Sequence, residues 1–158
     1  MSTAIDRHTA ATARIDARGP QFTAAVTALV LIAVLALPTP AATVLIGIQA
    51  LLFAAGALLG VQHTPTAWLF RRVVRPRLSG TTEFEDPRPP RFAQAVGLGF
   101  AVVAFAGYVG GVEALGLVAT GFALVAALLN ALFRFCLGCE LYLLLKRATA
   151  VEQRRTES

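Results

Sequence analysis

Of the 158 residues, 56% come from the set AVILMFWYC and only 15% are charged, with a mean hydropathy of +0.68. Soluble domains carry about 25% charged residues, so this composition excludes an ordinary water-soluble globular domain. The formal net charge of +5 and the pI near 10.2 would raise nucleic-acid binding in a soluble protein, but basic residues beside an anionic lipid leaflet account for them without a nucleic-acid partner.

In chain order, residues 1–14 read as a disordered cytoplasmic tail, followed by a four-span membrane domain over 15–147 and a second disordered cytoplasmic tail over 148–158. Phe22 to Val61 contains no Asp, Glu, Lys or Arg, nor do Phe92 to Val112 and Ala114 to Phe133. About 20 apolar residues cross a bilayer as a helix. The first run is too long for one crossing, and Pro38-Thr39-Pro40 divides it, because proline ends helices and restricts the residue before it. The expected spans are 22–37, 42–61, 92–110 and 114–134.

Arg14 and Arg18 with the stretch ALPTPAA could form the basic region and cleavage site of a targeting peptide. An internal repeat argues against cleavage. IDARGPQFTAAV (15–26) and EDPRPPRFAQAV (85–96) share D-x-R-x-P-x-F-x-x-A-V at an offset of 70 residues. The second copy leads into a span inside the chain, and the first is expected to do the same. The fold class is therefore an all-α membrane protein, its four transmembrane helices forming two tandem hairpin repeats (15–84 and 85–147) in a bundle. An even number of spans per unit gives both hairpins one orientation, as in parallel repeats about an axis along the membrane normal. Asp16 and Asp86 suit the capping of helix starts, and Arg18 and Arg88 suit headgroup depth.

Between the hairpins, WLFRRVVRPRLSG reads as an interfacial segment: Trp68, Leu69 and Phe70 bury at the headgroup boundary while Arg71, Arg72, Arg75 and Arg77 face lipid phosphates. Gly56 and Gly60 form GxxxG, and AALLNAL (126–132) repeats small residues, a pattern for close helix packing that leaves a homo-oligomer open. All 14 Lys and Arg lie in the N-terminal segment, the central loop or the C-terminal end. The turns at Pro38 and Gly110-Gly111 hold none, and only Glu113 is charged there. Basic residues mark the cytoplasmic face. Both termini and the central loop are expected there, in a multi-pass protein of the cytoplasmic membrane.

The only cysteines, Cys136 and Cys139, follow the last span in FCLGCELYLLLKR. At i and i+3 they share one helix face and can cycle between dithiol and disulfide. A cytosolic disulfide is more often transient than structural. Arg134 favours a thiolate and Glu140 opposes one. If the chain breaks over 135–138, Cys136 sits at a helix start, which also favours the thiolate. Three readings stand: a redox or sulfur-handling dithiol, a metal site of Cys136 and Cys139 with His63, and two cysteines that simply pack. No Gly-rich phosphate loop, Ser/His/Asp set or catalytic carboxylate pair is present, and no motif names a cofactor.

DPRPPRFAQAVG together with FCLGCELYL resembles the bacterial integral-membrane family catalogued as domain of unknown function 4395, over residues 14–147. The resemblance implies a four-span membrane protein with Cys136, Cys139 and Glu140 as a signature, and an association with thioredoxin-like and rhodanese-like sulfurtransferase proteins. The expected function is thiol–disulfide or persulfide exchange with such a partner, with Cys136 attacking, Cys139 resolving and Arg134 activating. A non-enzymatic scaffold or small transporter subunit is the alternative.

Overall fold

The computed structural model of the chain describes residues 15–80 and 84–156. The tail expected over 1–14 lies outside them. Helix α1 (Arg18–Ala36) and helix α2 (Thr39–Leu58) are joined by a tight turn. A short helix α3 (Pro65–Leu69) follows, running on through a turn of π-helix and a 3-10 turn to Arg77. Helix α4 (Arg88–Val109), helix α5 (Glu113–Phe133) and helix α6 (Leu137–Thr156) complete the order. Four of these, α1, α2, α4 and α5, are long and apolar enough to cross a membrane.

Local chemistry sets their limits. The Asp16 Oδ1 accepts the backbone N–H of Arg18 at 3.0 Å, and the Asp86 Oδ1 accepts that of Arg88 at 2.9 Å. Each carboxylate satisfies one of the donors left free at a helix start. Pro20 and Pro90 fall in the first turns, where a missing N–H costs nothing. Helices α1 and α4 therefore begin at Arg18 and Arg88, ahead of the charge-free runs that start at residues 22 and 92. At its other end α1 stops before Leu37, which is extended (ψ 155°) because Pro38 follows it.

The four spans form a bundle in which α1 packs on α5, α2 packs on α4, and α4 also packs on α5. Leu31 and Val34 of α1, Ile46 and Phe53 of α2, Ala104 and Tyr108 of α4 and Ala119 of α5 make the core. Large apolar side chains also point outward: Leu29 is 68% exposed and Leu51 is 72% exposed. Contiguous apolar surface of this kind is a liability in water and fits lipid. The protein is an all-α multi-pass membrane bundle.

The two ends of the bundle differ. At one end are the short turns, joined where the Thr39 hydroxyl donates to the Glu113 carboxylate at 2.7 Å. At the other, the two entry segments pair as antiparallel strands, β1 (Ile15–Asp16) with β2 (Phe84–Glu85), Ile15 opposite Glu85. Side chains there cap helix C-termini across the bundle. The Gln21 Nε2 donates to the Ala131 carbonyl at 2.8 Å, and Arg91 donates to the Ala57 and Leu58 carbonyls at 2.6 and 2.8 Å.

Helix α6 runs past Arg147, where the ordered domain was expected to end. Ala148, Ala150 and Glu152 are good helix formers and extend it.

Close packing depends on Gly107. A Cβ there would sit 2.6 Å from the Gly116 backbone nitrogen, whereas one at Gly99 meets nothing within 4 Å. In thermal unfolding followed by circular dichroism in detergent, Gly107→Ala is expected to destabilise by about 1–3 kcal/mol. Gly99→Ala is expected to gain about 0.5–1 kcal/mol. Equal effects at the two positions would refute this account of the α4–α5 crossing.

Candidate functional site

Helix α5 ends at Phe133 because Arg134 adopts the left-handed conformation (φ 56°, ψ 22°). Arg134 is the only non-glycine residue with positive φ among the described residues. Its N–H donates to the Asn130 carbonyl at 3.1 Å, and that of Phe135 to Leu129 at 3.2 Å, which satisfies the last carbonyls of α5. Such terminations usually use glycine, and an L-residue in this region costs roughly 1–2 kcal/mol. The break keeps the Arg134 side chain, which is exposed, out of the span.

Two residues on, Cys136 opens α6. Its carbonyl accepts the Glu140 N–H at 3.0 Å, and its Sγ accepts the Cys139 N–H at 3.3 Å. Cys136 thus stands where Ser, Thr, Asp or Asn usually caps a helix. Cys136 and Cys139 are joined as a disulfide, with Cα atoms 5.2 Å apart. Both are half-buried, and Glu140 is exposed in the first turn of α6. When the bond is reduced, the N–H groups and positive dipole end at the start of α6 favour a thiolate on Cys136.

Gly138 brings this segment onto the bundle. A Cβ at Gly138 would approach the Ala93 Cα to 2.6 Å, so only glycine lets α6 lie this close to α4. One turn further, Tyr142 packs on Phe92 with ring centroids 5.7 Å apart.

Cys136 also lines a cavity of about 430 Å³ between the helices. Its apolar lining includes Phe53, Gly97, Phe100, Phe122, Ala123 and Ala126. Phe100 and Phe122 stack with centroids 6.3 Å apart. Polar lining comes from Thr23, Thr27, Gln62, Gln94 and Asn130, and Asp16, Arg71 and Arg75 contribute from the segments outside the spans. The Gln62 Oε1 is buried without a hydrogen-bond partner among the described residues. The small residues of 126–132, expected to serve close helix packing, include Ala126, Ala127 and Asn130 in the cavity wall.

Of the other residues singled out from the sequence, Asp16 and Arg71 share the cavity lining with Cys136. His63 is exposed, with its Nδ1 2.9 Å from the Leu59 carbonyl. No three of His, Cys, Asp and Glu come together as a metal-ligand set among the described residues, so His63 does not join Cys136 and Cys139. Arg72 lies over the Trp68 ring, 5.7 Å from its centroid. Arg71 donates to the Gln62 carbonyl at 2.7 Å, and Arg18 to that of Ser79 at 3.3 Å. The contacts of Gln21 and Arg91 have one sequence signal, a long polar side chain at the same position at the head of each hairpin. The aromatic wall of the cavity carries no local sequence signal.

Fold and site together define a class: a four-span membrane bundle with a CxxC disulfide at the start of a further helix. The family model described as Domain of unknown function (DUF4395) matches residues 15–147, and the chain belongs to that family. No curated protein and no solved structure matches it.

Two expectations follow for the break. Arg134→Gly is expected to be more stable than Arg134→Val by roughly 1–2 kcal/mol in chemical unfolding, since both lose the side chain and only glycine accepts this conformation freely. Gly138→Ala is expected to lower stability by about 1–3 kcal/mol through the clash with Ala93. A wild-type unfolding midpoint for Gly138→Ala would show that α6 does not need this contact.

Proposed function

We propose that the protein exchanges thiols and disulfides, or persulfide sulfur, with a soluble thioredoxin-like or rhodanese-like partner at Cys136 and Cys139. The observation that carries this is the cysteine pair at the start of α6, with Cys136 in the capping position. In the exchange, the Cys136 thiolate attacks a partner disulfide, forming a mixed disulfide and releasing one partner thiolate. Cys139 then attacks the Cys136 sulfur, closing the internal disulfide and freeing the partner as a dithiol. The reverse sequence reduces the internal bond.

A staple role has little physical support. The bond closes a separation of only three residues, and disulfides restrain the unfolded chain more when they close longer loops. Arg134 is the electrostatic activator in this scheme, and Glu140 on the first turn is the residue nearest to Cys139 in sequence that could accept its proton.

The partner side is the cytoplasm, by the distribution of basic residues, and the membrane is the cytoplasmic one. The two hairpins form a repeat about an axis along the membrane normal, a reading supported by the matched Asp16 and Asp86 caps and by the pairing of Ile15 with Glu85.

With a reduced or oxidised thioredoxin as reporter, the wild-type chain in membranes is expected to equilibrate its pair, counted by maleimide mass-tagging. Cys139→Ser should trap a mixed disulfide on Cys136, and the double serine variant should lose exchange. Serine caps helices well, so a folded double variant that still exchanges would remove the proposal.

A further inference from the structure

The cavity lined in part by Cys136 combines three features on different elements: apolar walls, a cationic side and a sulfur. Phe53 of α2, Phe100 of α4 and Ala126 of α5 supply apolar wall. Arg71 and Arg75, both exposed, line it from the segment after α2, which lies at the same end of the bundle as Cys136. Among the described residues Asp16 is the one carboxylate in the lining, and its Oδ1 already accepts the Arg18 N–H. Among the described lining residues, two guanidinium groups stand against one engaged carboxylate, an excess of positive charge on that side. Arg71 donates to the Gln62 carbonyl, and a guanidinium has five N–H donors in all.

A ligand complementary to this arrangement is apolar along its length and negative at one end. The volume, about 430 Å³, is in the range of pockets for a single small molecule. We infer that the cavity binds a single-chain anionic amphiphile of the fatty-acid type and that the bound molecule covers Cys136. The chain lies along Phe53, Phe100 and Ala126, and the carboxylate meets Arg71 and Arg75, the charge-assisted pairing that guanidinium favours. This deepens the exchange reading and rests on it for its consequence: membrane fatty acid competes with the protein partner for access to the attacking sulfur.

The test uses the full chain in nanodiscs of phosphatidylcholine, carrying Cys139→Ser so that Cys136 stays a free thiol. The rate of Cys136 alkylation by a water-soluble maleimide is measured against added oleate, oleyl alcohol and dioleoyl phosphatidic acid. Oleate should slow alkylation saturably, and oleyl alcohol should not. Protection by oleate should weaken in Arg71→Gln/Arg75→Gln and vanish in Ala126→Phe, which fills the cavity. The chain without cavity substitutions is decisive even if those variants do not fold. No protection by oleate, or equal protection by the alcohol, overturns the inference. Protection by phosphatidic acid at least as strong as by oleate assigns the cavity to a two-chain phospholipid and overturns the fatty-acid assignment. Thioredoxin exchange by the wild-type chain, run in parallel without oleate, separates the two ideas. Lost exchange with intact oleate protection removes the function proposal and leaves the binding site, while intact exchange without protection does the reverse.

Discussion

Hydrocarbon offers no hydrogen bonds, so every backbone N–H and C=O at membrane depth needs a partner within the protein. This requirement makes the four spans helical, and it also governs their ends, where donors and acceptors run out of intrahelical partners. The protein meets it with side chains from the opposite hairpin: Gln21 reaches the end of α5, and Arg91 reaches the end of α2. The same contacts that satisfy the carbonyls tie the hairpins together. Helix termination and bundle assembly are therefore one event at this end of the molecule, and the paired entry strands reinforce it.

The cysteine segment depends on how α5 is ended. A straight continuation from Phe133 would draw Arg134 into the bilayer, where a charge is costly. The left-handed turn at Arg134 costs less and redirects the chain, and Gly138 then allows α6 to lie against Ala93. Backbone strain of this kind often gathers at functional sites. Here it has a definite product: it sets Cys136 at a helix start, where the Cys139 N–H meets its sulfur.

The cysteine pair consequently stands between two environments. Cys136 is in the wall of an apolar cavity, while Glu140 on the next turn is exposed. Half-burial restricts what can reach either sulfur. The cavity exists because α5 presents Ala123, Ala126 and Ala127 on the face where larger side chains would fill the space between α1 and α4.

Much of this was legible in the chain itself. Charge-free runs identify the four spans, because hydropathy over some 20 residues is a local property that the bilayer reads directly. The matched D-x-R-x-P entries identify helix starts, because capping involves neighbours in sequence, and the CxxC spacing identifies a pair able to bond. Tertiary structure decided the rest. Whether α5 breaks at Arg134 turned on competing local costs, and the helix-forming residues beyond Arg147 carried α6 further than the charge pattern suggested. His63 had the chemistry of a ligand, but the fold holds it at the end of α2, bonded to Leu59. The small residues of α5 have one composition whether they pack against a helix or border a void. Only the positions of α1, α2 and α4 make them a cavity wall, because empty space is a property of several elements at once and no segment encodes it alone.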